Sequence, residues 1–195
     1  QSDVQLILDL GSGTGDLTFS AANAIKGNGR IVGLDFSLPM LMLARAKQSS
    51  SKHGARTDFI QGSALFPPFK DCAFDGVMTA FVLRNVSDLS LFFSHAFRVL
   101  KKGGRFVSLD MFPPSTTWFS ALYSLYFYRL VPWIGGALAH DHSAYRYLAR
   151  SVESFYSPQT VAELLEQAGF RQVSTRKFLH GAVCMHVAEK LNALP

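Results

Sequence analysis

The strongest constraint on the fold is a short apolar segment that ends in a run of closely spaced glycines. Residues 4–10 (VQLILDL) are almost continuously apolar, which is typical of a strand buried on both faces of a parallel sheet. A glycine turn over 11–15 (GSGTG) follows, and the pattern over 16–26 predicts a helix. A second buried strand over 30–35 then completes a βαβ unit.

The same alternation continues along the chain. The further predicted elements are helices over 38–48, 88–100 and 158–168 and strands over 57–61, 74–80, 105–110, 172–178 and 182–188. Lys101 and Lys102 follow the second of these helices, where basic side chains complement the negative end of a helix dipole. The last two strands predict an antiparallel pair at the sheet edge. The pattern predicts a doubly wound α/β fold with helices on both faces of the sheet.

One long segment, residues 111–157, interrupts the alternation. It is rich in aromatic residues and prolines, and it is too long to be a simple connecting loop. The chain of 195 residues is 48% hydrophobic and 17% charged, which excludes a disordered protein and fits one compact domain. We therefore expect a single domain over residues 1–195, with 111–157 as an aromatic helical insertion that binds or covers a substrate.

Composition and charge argue against several classes of function. The net charge of +5 permits anionic partners, but no basic stripe interleaved with aromatic residues is present, so nucleic-acid binding is not expected. The two cysteines lie far apart, which favours a reducing compartment. Segment 118–139 is interrupted by Arg129 and Pro132, and the N-terminus lacks a basic region, so neither a membrane span nor a signal peptide is expected. His140 and His142 lack a third ligand, so no metal site is expected.

The glycine turn is the expected ligand site, because ligands of doubly wound sheets bind at the carboxyl ends of the strands. Asp35 ends the second strand, where a carboxylate accepts hydrogen bonds from ribose hydroxyls. Asp9 and Asp16 flank the turn and would repel the pyrophosphate of a dinucleotide such as NAD. A sulfonium cation is favoured by the same charges. The pattern therefore indicates S-adenosylmethionine over a dinucleotide.

Several motifs carry a resemblance to a known family. They are LDLGSGTGDLT (8–18), FVLRNVSD (81–88), RVLKKGGR (98–105), YRYLARSV (145–152) and AGF (168–170). On these motifs the chain resembles class I S-adenosylmethionine-dependent methyltransferases and, more closely, the ubiquinone/menaquinone biosynthesis C-methyltransferase family. The resemblance implies a Rossmann-like, mostly parallel seven-stranded methyltransferase sheet with an antiparallel edge strand. Members also tend to carry a helix before the first strand, so part of the substrate lid is expected to be absent here.

The resemblance also implies which residues contact the cofactor. They are expected at the glycine turn and after the second, third and fourth strands: Asp9, Gly11, Ser12, Gly13, Thr14, Gly15, Asp35, Phe36, Met40, Gly62, Ser63, Ala64 and Phe81. Phe36 and Met40 are expected beside the adenine, with ordinary helix packing as the alternative. The family usually has an acidic or amide side chain after the third strand, whereas Ser63 is shorter and uncharged.

The reaction implied by the resemblance is methylation of a ring carbon in a polyprenylated quinol. Only the reduced, hydroxylated ring makes that carbon nucleophilic. Arg84 is predicted to stabilise a developing phenolate and Asn85 to orient the ring oxygen or a water, with a loop salt bridge and a helix cap as the alternatives. Asp141 or His142 is predicted to accept the proton, and Tyr145 to shape the pocket, unless these residues only anchor the insertion.

Segment 118–130 has apolar residues on nearly all sides. We expect it to line a tunnel for the isoprenoid tail and to rest on a membrane surface, although a buried helix explains the same pattern. The expected location is the cytoplasm or an organelle interior, peripheral at a membrane. A homodimer or a quinone-biosynthesis complex is compatible with the sequence. Two other functions stay open, namely methylation of another small aromatic or lipid-like acceptor and catalytically silent cofactor binding.

Overall fold

The computed structural model of the chain describes residues 5–25, 27–113 and 151–191. These residues form a seven-stranded sheet flanked by helices. The strands are β1 (Leu6–Leu10), β2 (Arg30–Asp35), β3 (Thr57–Gln61), β4 (Phe74–Ala80), β5 (Leu100–Met111), β6 (Arg171–Phe178) and β7 (Val183–Glu189). The helices are α1 (Asp16–Ala24), α2 (Leu38–Ser50), α3 (Leu89–Val99) and α4 (Pro158–Gln167), with short 3₁₀ turns at Gly54–Arg56, Leu83–Asn85 and Leu179–Gly181.

The strand order is β3-β2-β1-β4-β5-β7-β6. Strands β1 to β5 run parallel, while β7 pairs antiparallel with β5 on one side and with β6 on the other. The predicted mostly parallel sheet with an antiparallel pair at its edge is confirmed. The chain reverses its direction of winding between β1 and β4, and this switch point is where doubly wound sheets open a crevice for ligands.

Two clusters of buried apolar side chains lie on opposite faces of the sheet. The larger cluster packs α3 and α4 onto the central strands, and its aromatic rings meet edge to face, as Phe93 and Phe106 do at 5.7 Å between centroids. The smaller cluster packs α1 and α2 against Phe59 of β3. Much of the phenylalanine content therefore fills the core.

The boundary between α3 and β5 differs from the prediction. Helix α3 ends at Val99, and β5 begins at Leu100, which pairs with Phe74 of β4. The predicted helix end and strand start were therefore too late, because Leu100 gains more from pairing in the sheet than from another helical residue. Lys101, expected to complement the helix end, forms an ion pair with Asp75 at 2.8 Å instead.

The end of α3 is bound by a residue from the other end of the chain. The Nζ of Lys190 donates to the carbonyl oxygens of Phe97 and Leu100, each at 2.7 Å, and lies 4.5 Å from the centroid of the Phe97 ring. These are carbonyls that a helix leaves without partners at its C-terminus. Lys190 thus joins the chain just after β7 to α3.

The two flanks of the predicted insertion lie together. Phe112, just after β5, and Phe155 pack with their ring centroids 5.1 Å apart. Residues 114–150 lie outside the described part of the chain. Within residues 5–25, 27–113 and 151–191, no helix combines the length and apolar character needed to cross a bilayer.

Candidate active site

The glycine turn after β1 folds back toward β2. The backbone N–H groups of Gly11 and Ser12 both donate to the carbonyl oxygen of Leu34, at 2.8 and 3.1 Å. Gly11 has φ +77°, and a Cβ at this position would collide with the side chain of Val82. Only glycine meets both conditions, since it alone adopts positive φ without steric cost and occupies so little space.

Gly13 occupies the open side of the same turn. Its φ is +53°, and nothing lies within 4 Å of the place where a Cβ would stand. The backbone is therefore accessible from the cavity that the turn borders. This is the arrangement by which a glycine loop lets a nucleoside approach the main chain closely.

Asp35 joins the turn to the start of α2. Its Oδ2 accepts the N–H of Gly13 and its Oδ1 accepts the N–H of Ser37, both at 2.8 Å. Each carboxylate oxygen keeps capacity for a further hydrogen bond. Asp35 is mostly buried but lines the cavity, so it both shapes the turn and presents an anionic acceptor to a ligand.

A cavity of about 500 Å³ lies at the carboxyl ends of β1, β2 and β4. Its volume is within the usual range for small-molecule sites. The predicted residues that line it are Gly11, Gly13, Asp35, Phe36, Met40, Ser63, Ala64, Phe81 and Asn85. Seven lining residues were not predicted: Leu34, Ser37, Leu65, Ala80, Val82, Val86 and Ser87. Their positions within two residues of predicted ones were the available signal.

Five other predicted cofactor residues do not line this cavity: Asp9, Ser12, Thr14, Gly15 and Gly62. Asp9 lies beneath the turn, 1% exposed, where its Oδ2 accepts the hydroxyl of Thr18 at 2.6 Å. Burial raises the pKa of Asp9 to about 7, the Thr18 hydrogen bond opposes that rise, and the nearby charge of Asp35 adds to it. Asp9 therefore supports the turn from within the protein.

Asp16 does not line the cavity either, and its charge is paired. Lys47 of α2 forms an ion pair with it at 2.8 Å, and the Thr14 hydroxyl donates to its other oxygen at 2.9 Å. The sequence argument assigned the selectivity against pyrophosphate to Asp9 and Asp16. In the structure, the carboxylate that faces the cavity is that of Asp35.

Phe36 and Met40 form an apolar wall of the cavity. Phe36 is 79% exposed and Met40 is 44% exposed, so ordinary helix packing does not explain them. Ser63, on another part of the wall, accepts the N–H of Leu65 at 3.2 Å and has no carboxylate or amide to offer an adenine. Large apolar side chains open to a cavity suit a flat, weakly polar group.

The connection between β4 and α3 forms the far wall. Phe81 has φ +60°, a conformation that costs a residue with a Cβ about 1 kcal/mol or more. Asn85 lines the cavity, whereas Arg84 lies behind the wall and forms an ion pair with Asp110 at 2.6 Å. The sequence reasoning missed Asp110, although a lone carboxylate in the apolar strand RFVSLDM was a usable signal. Asp141, His142 and Tyr145 lie outside the described residues.

A larger cavity, about 670 Å³, lies elsewhere on the sheet. It is a mostly apolar groove over β4 and β5 that includes Met78, Val107 and Met185. It contains neither the glycine turn nor Asp35. The smaller cavity at the carboxyl ends is therefore the candidate active site, since it holds the polar groups that bind ligands in such folds.

Comparison with known proteins places the chain in a family. The sequence profile described as the ubiE/COQ5 methyltransferase family matches residues 1–190. The chain belongs to the ubiE/COQ5 methyltransferase family. It is 39% identical, over 94% of its length and 82% of the relative, to the demethylmenaquinone methyltransferase of Thermus thermophilus. It is 36% identical, over 93% of its length and 70% of the relative, to the ubiquinone/menaquinone biosynthesis C-methyltransferase UbiE of Vibrio cholerae.

Solved structures share the fold of this family member. An S-adenosylmethionine-dependent methyltransferase from Aquifex aeolicus superposes with a TM-score of 0.70 at 17% identity, covering 96% of this chain and 82% of that one. The Haemonchus contortus phosphoethanolamine N-methyltransferase 2 in complex with S-adenosyl-L-methionine gives 0.72 at 15% identity, covering 98% of this chain and 50% of that one. The Rossmann-like methyltransferase sheet is confirmed.

The enzyme is an S-adenosylmethionine-dependent methyltransferase. The residues of the smaller cavity fit this cofactor, because the open backbone at Gly13, the carboxylate of Asp35 and the exposed wall of Phe36 and Met40 border one space. A carboxylate suits ribose hydroxyls, and an apolar wall suits an adenine ring.

Proposed function

We propose that this methyltransferase transfers a methyl group to a ring carbon of a polyprenylated quinol in quinone biosynthesis. Relatives 32–39% identical that carry the names demethylmenaquinone methyltransferase or ubiquinone/menaquinone biosynthesis C-methyltransferase support the proposal. The observation that carries it is a single cavity with two kinds of wall. Gly13 and Asp35, after β1 and β2, and Phe81 and Asn85, after β4, all line it. We place donor and acceptor side by side within it.

The part of the cavity next to the glycine turn is the donor site. Gly13 offers its backbone, Asp35 accepts hydrogen bonds from the ribose hydroxyls, and Phe36 and Met40 cover the adenine. When bound, S-adenosylmethionine supplies an electrophilic methyl group attached to a sulfonium. The protein's contribution is orientation and exclusion of water, since methyl transfer requires the three reacting atoms to lie nearly in line.

The part next to the β4–α3 connection is the acceptor site. The Asn85 amide orients a ring oxygen or a water, and Phe81, predicted from the resemblance to contact the cofactor, is reassigned in this proposal to the acceptor ring. Arg84 lies behind the wall that this connection forms, with its guanidinium carbon 5.8 Å from the centroid of the Phe81 ring. In this proposal it favours the phenolate form of the acceptor, although Asp110 offsets part of its charge. The phenolate is the more nucleophilic form, which is why a reduced ring reacts and an oxidised quinone does not.

The insertion over 111–157 completes this site in the proposal. Asp141 or His142 accepts the ring proton, Tyr145 shapes the pocket, and segment 118–130 lines a tunnel for the isoprenoid tail. The support is topological, because the packed pair Phe112 and Phe155 places both flanks of the insertion near the end of β5. The carboxyl end of β5 adjoins that of β4, where the acceptor site begins.

The proposal is tested by supplying the purified chain with labelled S-adenosylmethionine and reduced demethylmenaquinol, then locating the methyl group by mass spectrometry. We expect methylation of a ring carbon with the reduced acceptor and none with the oxidised quinone. Methylation of an oxygen or nitrogen on another aromatic acceptor would favour the alternative function, methylation of another small aromatic or lipid-like acceptor. Cofactor binding by calorimetry, without transfer to any reduced quinol, would contradict the proposal and favour a silent binding protein.

We also propose that the enzyme acts at an anionic membrane surface, because its acceptor is a lipid. Three exposed large apolar side chains belong to the first half of α2 and do not line the cavity: Leu38, Met42 and Leu43. We call them the α2 surface. No acidic residue occurs from 36 to 57, whereas this stretch holds four lysines and arginines. Exposed apolar side chains beside basic ones are typical of peripheral binding to anionic lipid.

Vesicle flotation tests the membrane proposal. The chain should float with vesicles that contain phosphatidylglycerol and less with phosphatidylcholine alone. Replacing two residues of the α2 surface together, Met42→Glu and Leu43→Glu, should abolish flotation, while Leu179→Glu, at another exposed apolar position, should not. Equal flotation of the double variant and the parent would rule out the α2 surface. A cytoplasmic or organelle-internal location, and a homodimer or larger complex, stay predictions.

A further inference from the structure

The ion pair between Arg84 and Asp110 is buried beside the active-site cavity. The Nη1 of Arg84 lies 2.6 Å from Oδ1 of Asp110, and the two side chains are 11% and 0% exposed. Arg84 belongs to the 3₁₀ turn after β4, whereas Asp110 belongs to β5. The pair therefore ties the wall that carries Phe81 and Asn85 to the central sheet.

Asp110 is rigidly held. It lies opposite Cys184 in β7, and its neighbour Leu109 pairs with Ala80 in β4, so β5 is paired on both sides at this point. Its Oδ1 also accepts the N–H of Met111 at 2.8 Å. Burial raises the pKa of the Asp110 carboxyl, while the charge of Arg84 and the backbone N–H groups oppose that rise. The sheet thus supplies a fixed anchor for the guanidinium.

The pair is not the arrangement expected of a purely structural salt bridge. A buried ion pair gains enough to offset desolvation only when its geometry is good and its remaining polar atoms are satisfied. Bidentate pairing would satisfy both partners. Here Nε of Arg84 and Oδ2 of Asp110 are both buried and have no hydrogen-bond partner in the described part of the chain. One donor and one acceptor of the same pair are left unused.

The adjoining residues of the turn face the cavity: Asn85 lines it, and the Phe81 ring lies 5.8 Å from the Arg84 guanidinium carbon. The unused atoms therefore belong to a pair placed directly behind the proposed acceptor site.

We propose that Asp110 is a positioning residue that fixes the guanidinium of Arg84 behind the acceptor site. The inference rests on the proposed function, because it takes a hydroxylated ring as the acceptor. Asp110 acts through Arg84. Without Asp110, the guanidinium keeps its charge but loses its fixed direction toward the acceptor.

Kinetics of two variants and their combination test the proposal. Asp110→Asn keeps the shape but removes the charge and replaces one of the two acceptor oxygens by an NH₂ donor, and it should lower kcat about 10- to 100-fold, as expected for a misplaced group. Affinity for S-adenosylmethionine by calorimetry should stay within about twofold. Because Asp110 acts through Arg84, the double variant Arg84→Lys/Asp110→Asn should be no slower than Arg84→Lys alone. If the loss of kcat in the double variant equals the product of the losses in the two single variants, the proposal is overturned.

Two further variants separate positioning from stability. Asp110→Glu keeps the charge but displaces it by one methylene, so it should lower kcat even if Asp110→Asn folds poorly. Asp75→Asn removes the other ion-paired carboxylate on the central strands, that of Asp75 with Lys101, and serves as the matched control, with kcat unchanged. Full activity of Asp110→Glu and Asp110→Asn would contradict the inference.

A measurement that needs no acceptor substrate tests the role of Asp110 independently of the proposed function. The side-chain ¹⁵N signals of Arg84, assigned by their loss in Arg84→Lys, should show hindered rotation of the guanidinium. Asp110→Asn should release that rotation, and Asp75→Asn should leave it unchanged. If the parent fails to methylate any quinol, the proposed function fails while this test still decides the positioning. A freely rotating guanidinium in the parent would overturn it.

Discussion

A carboxylate beneath the glycine turn makes the stability of this enzyme depend on pH. The pKa of Asp9 is raised from 3.8 to about 7 in the folded state, so the folded chain binds a proton that the unfolded chain releases. The stabilisation by the protonated form is complete below about pH 4, declines as pH rises, and is lost above about pH 7. This difference in pKa between the folded and unfolded chain corresponds to a change in the free energy of unfolding on the order of 4 kcal/mol.

Asp9→Asn should remove this contribution from the pH dependence. Urea unfolding at about pH 5 and about pH 8 should show that the variant, relative to the parent, is more stable at the higher pH. Asp75→Asn is the control, because the pKa of Asp75 is lowered by Lys101 and a backbone N–H, which together outweigh its burial, and its titration lies below this window. A constant difference between Asp9→Asn and the parent across the window would contradict the assignment.

Gly11 and Gly13 should respond differently to alanine although both have positive φ. Gly11→Ala adds a Cβ that collides with Val82, so we expect a severe loss of stability. Gly13→Ala meets open space and should cost only about 1–2 kcal/mol of backbone strain, but its methyl group narrows the cavity and should weaken cofactor binding at least tenfold. Gly103 has φ +76° and nothing within 4 Å of the place where a Cβ would stand. Gly103→Ala therefore introduces the backbone strain without narrowing the cofactor cavity, and it serves as the control in calorimetry. Undiminished binding by Gly13→Ala would place the cofactor elsewhere.

At the scale of elements, α3 depends on one distant lysine. Lys190 is mostly buried and donates to two carbonyls at the end of α3. Lys190→Met keeps the apolar stem but leaves these carbonyls unsatisfied, so the free energy of unfolding should fall by about 3 kcal/mol. The exposed Lys102→Met should change it by less than about 0.5 kcal/mol. Urea unfolding measures both, and equal effects would mean that the Lys190 bonds contribute nothing.

The contact between Lys190 and the end of α3 is of a kind that the sequence did not predict. Strands β2, β3 and β4 were predicted with their observed bounds from the alternation of strand and helix patterns along the chain. Lys101 was assigned to the end of α3 because it is adjacent in sequence, yet the contact comes from Lys190, ninety residues beyond Leu100. Pattern and propensity describe neighbours along the chain. They carry no signal for a tertiary contact of this kind.

The candidate site also contains residues that could be predicted from the sequence and residues that could not. Gly13 and Asp35 were predictable, because a glycine turn after one strand and an acid after the next are brought together by the βαβ unit itself. The positions of Asp9 and Asp16 relative to the cavity were not, because a sequence gives a charge but neither its burial nor its partner. Asp110 was missed for a related reason, since its partner Arg84 reaches it from the preceding strand's connection.

At the scale of the whole molecule, cofactor binding should stabilise the fold and reveal the selectivity of the cavity. A ligand that binds only the folded state, at about a hundred times its dissociation constant, adds about 2.7 kcal/mol. For a chain of this size that raises Tm by roughly 5–10 °C. We expect this rise with S-adenosylmethionine and none with NAD, because the chain belongs to a methyltransferase family; Asp35 does not itself discriminate, since its carboxylate suits the ribose of either cofactor. Asp35→Asn also weakens the turn that Asp35 holds, so the Tm of this variant without ligand is the reference for its own ligand effect. The rise in Tm on adding S-adenosylmethionine should largely disappear in this variant. A rise with NAD as large as that with S-adenosylmethionine would refute the assignment of the cavity to S-adenosylmethionine, whatever acceptor the enzyme uses.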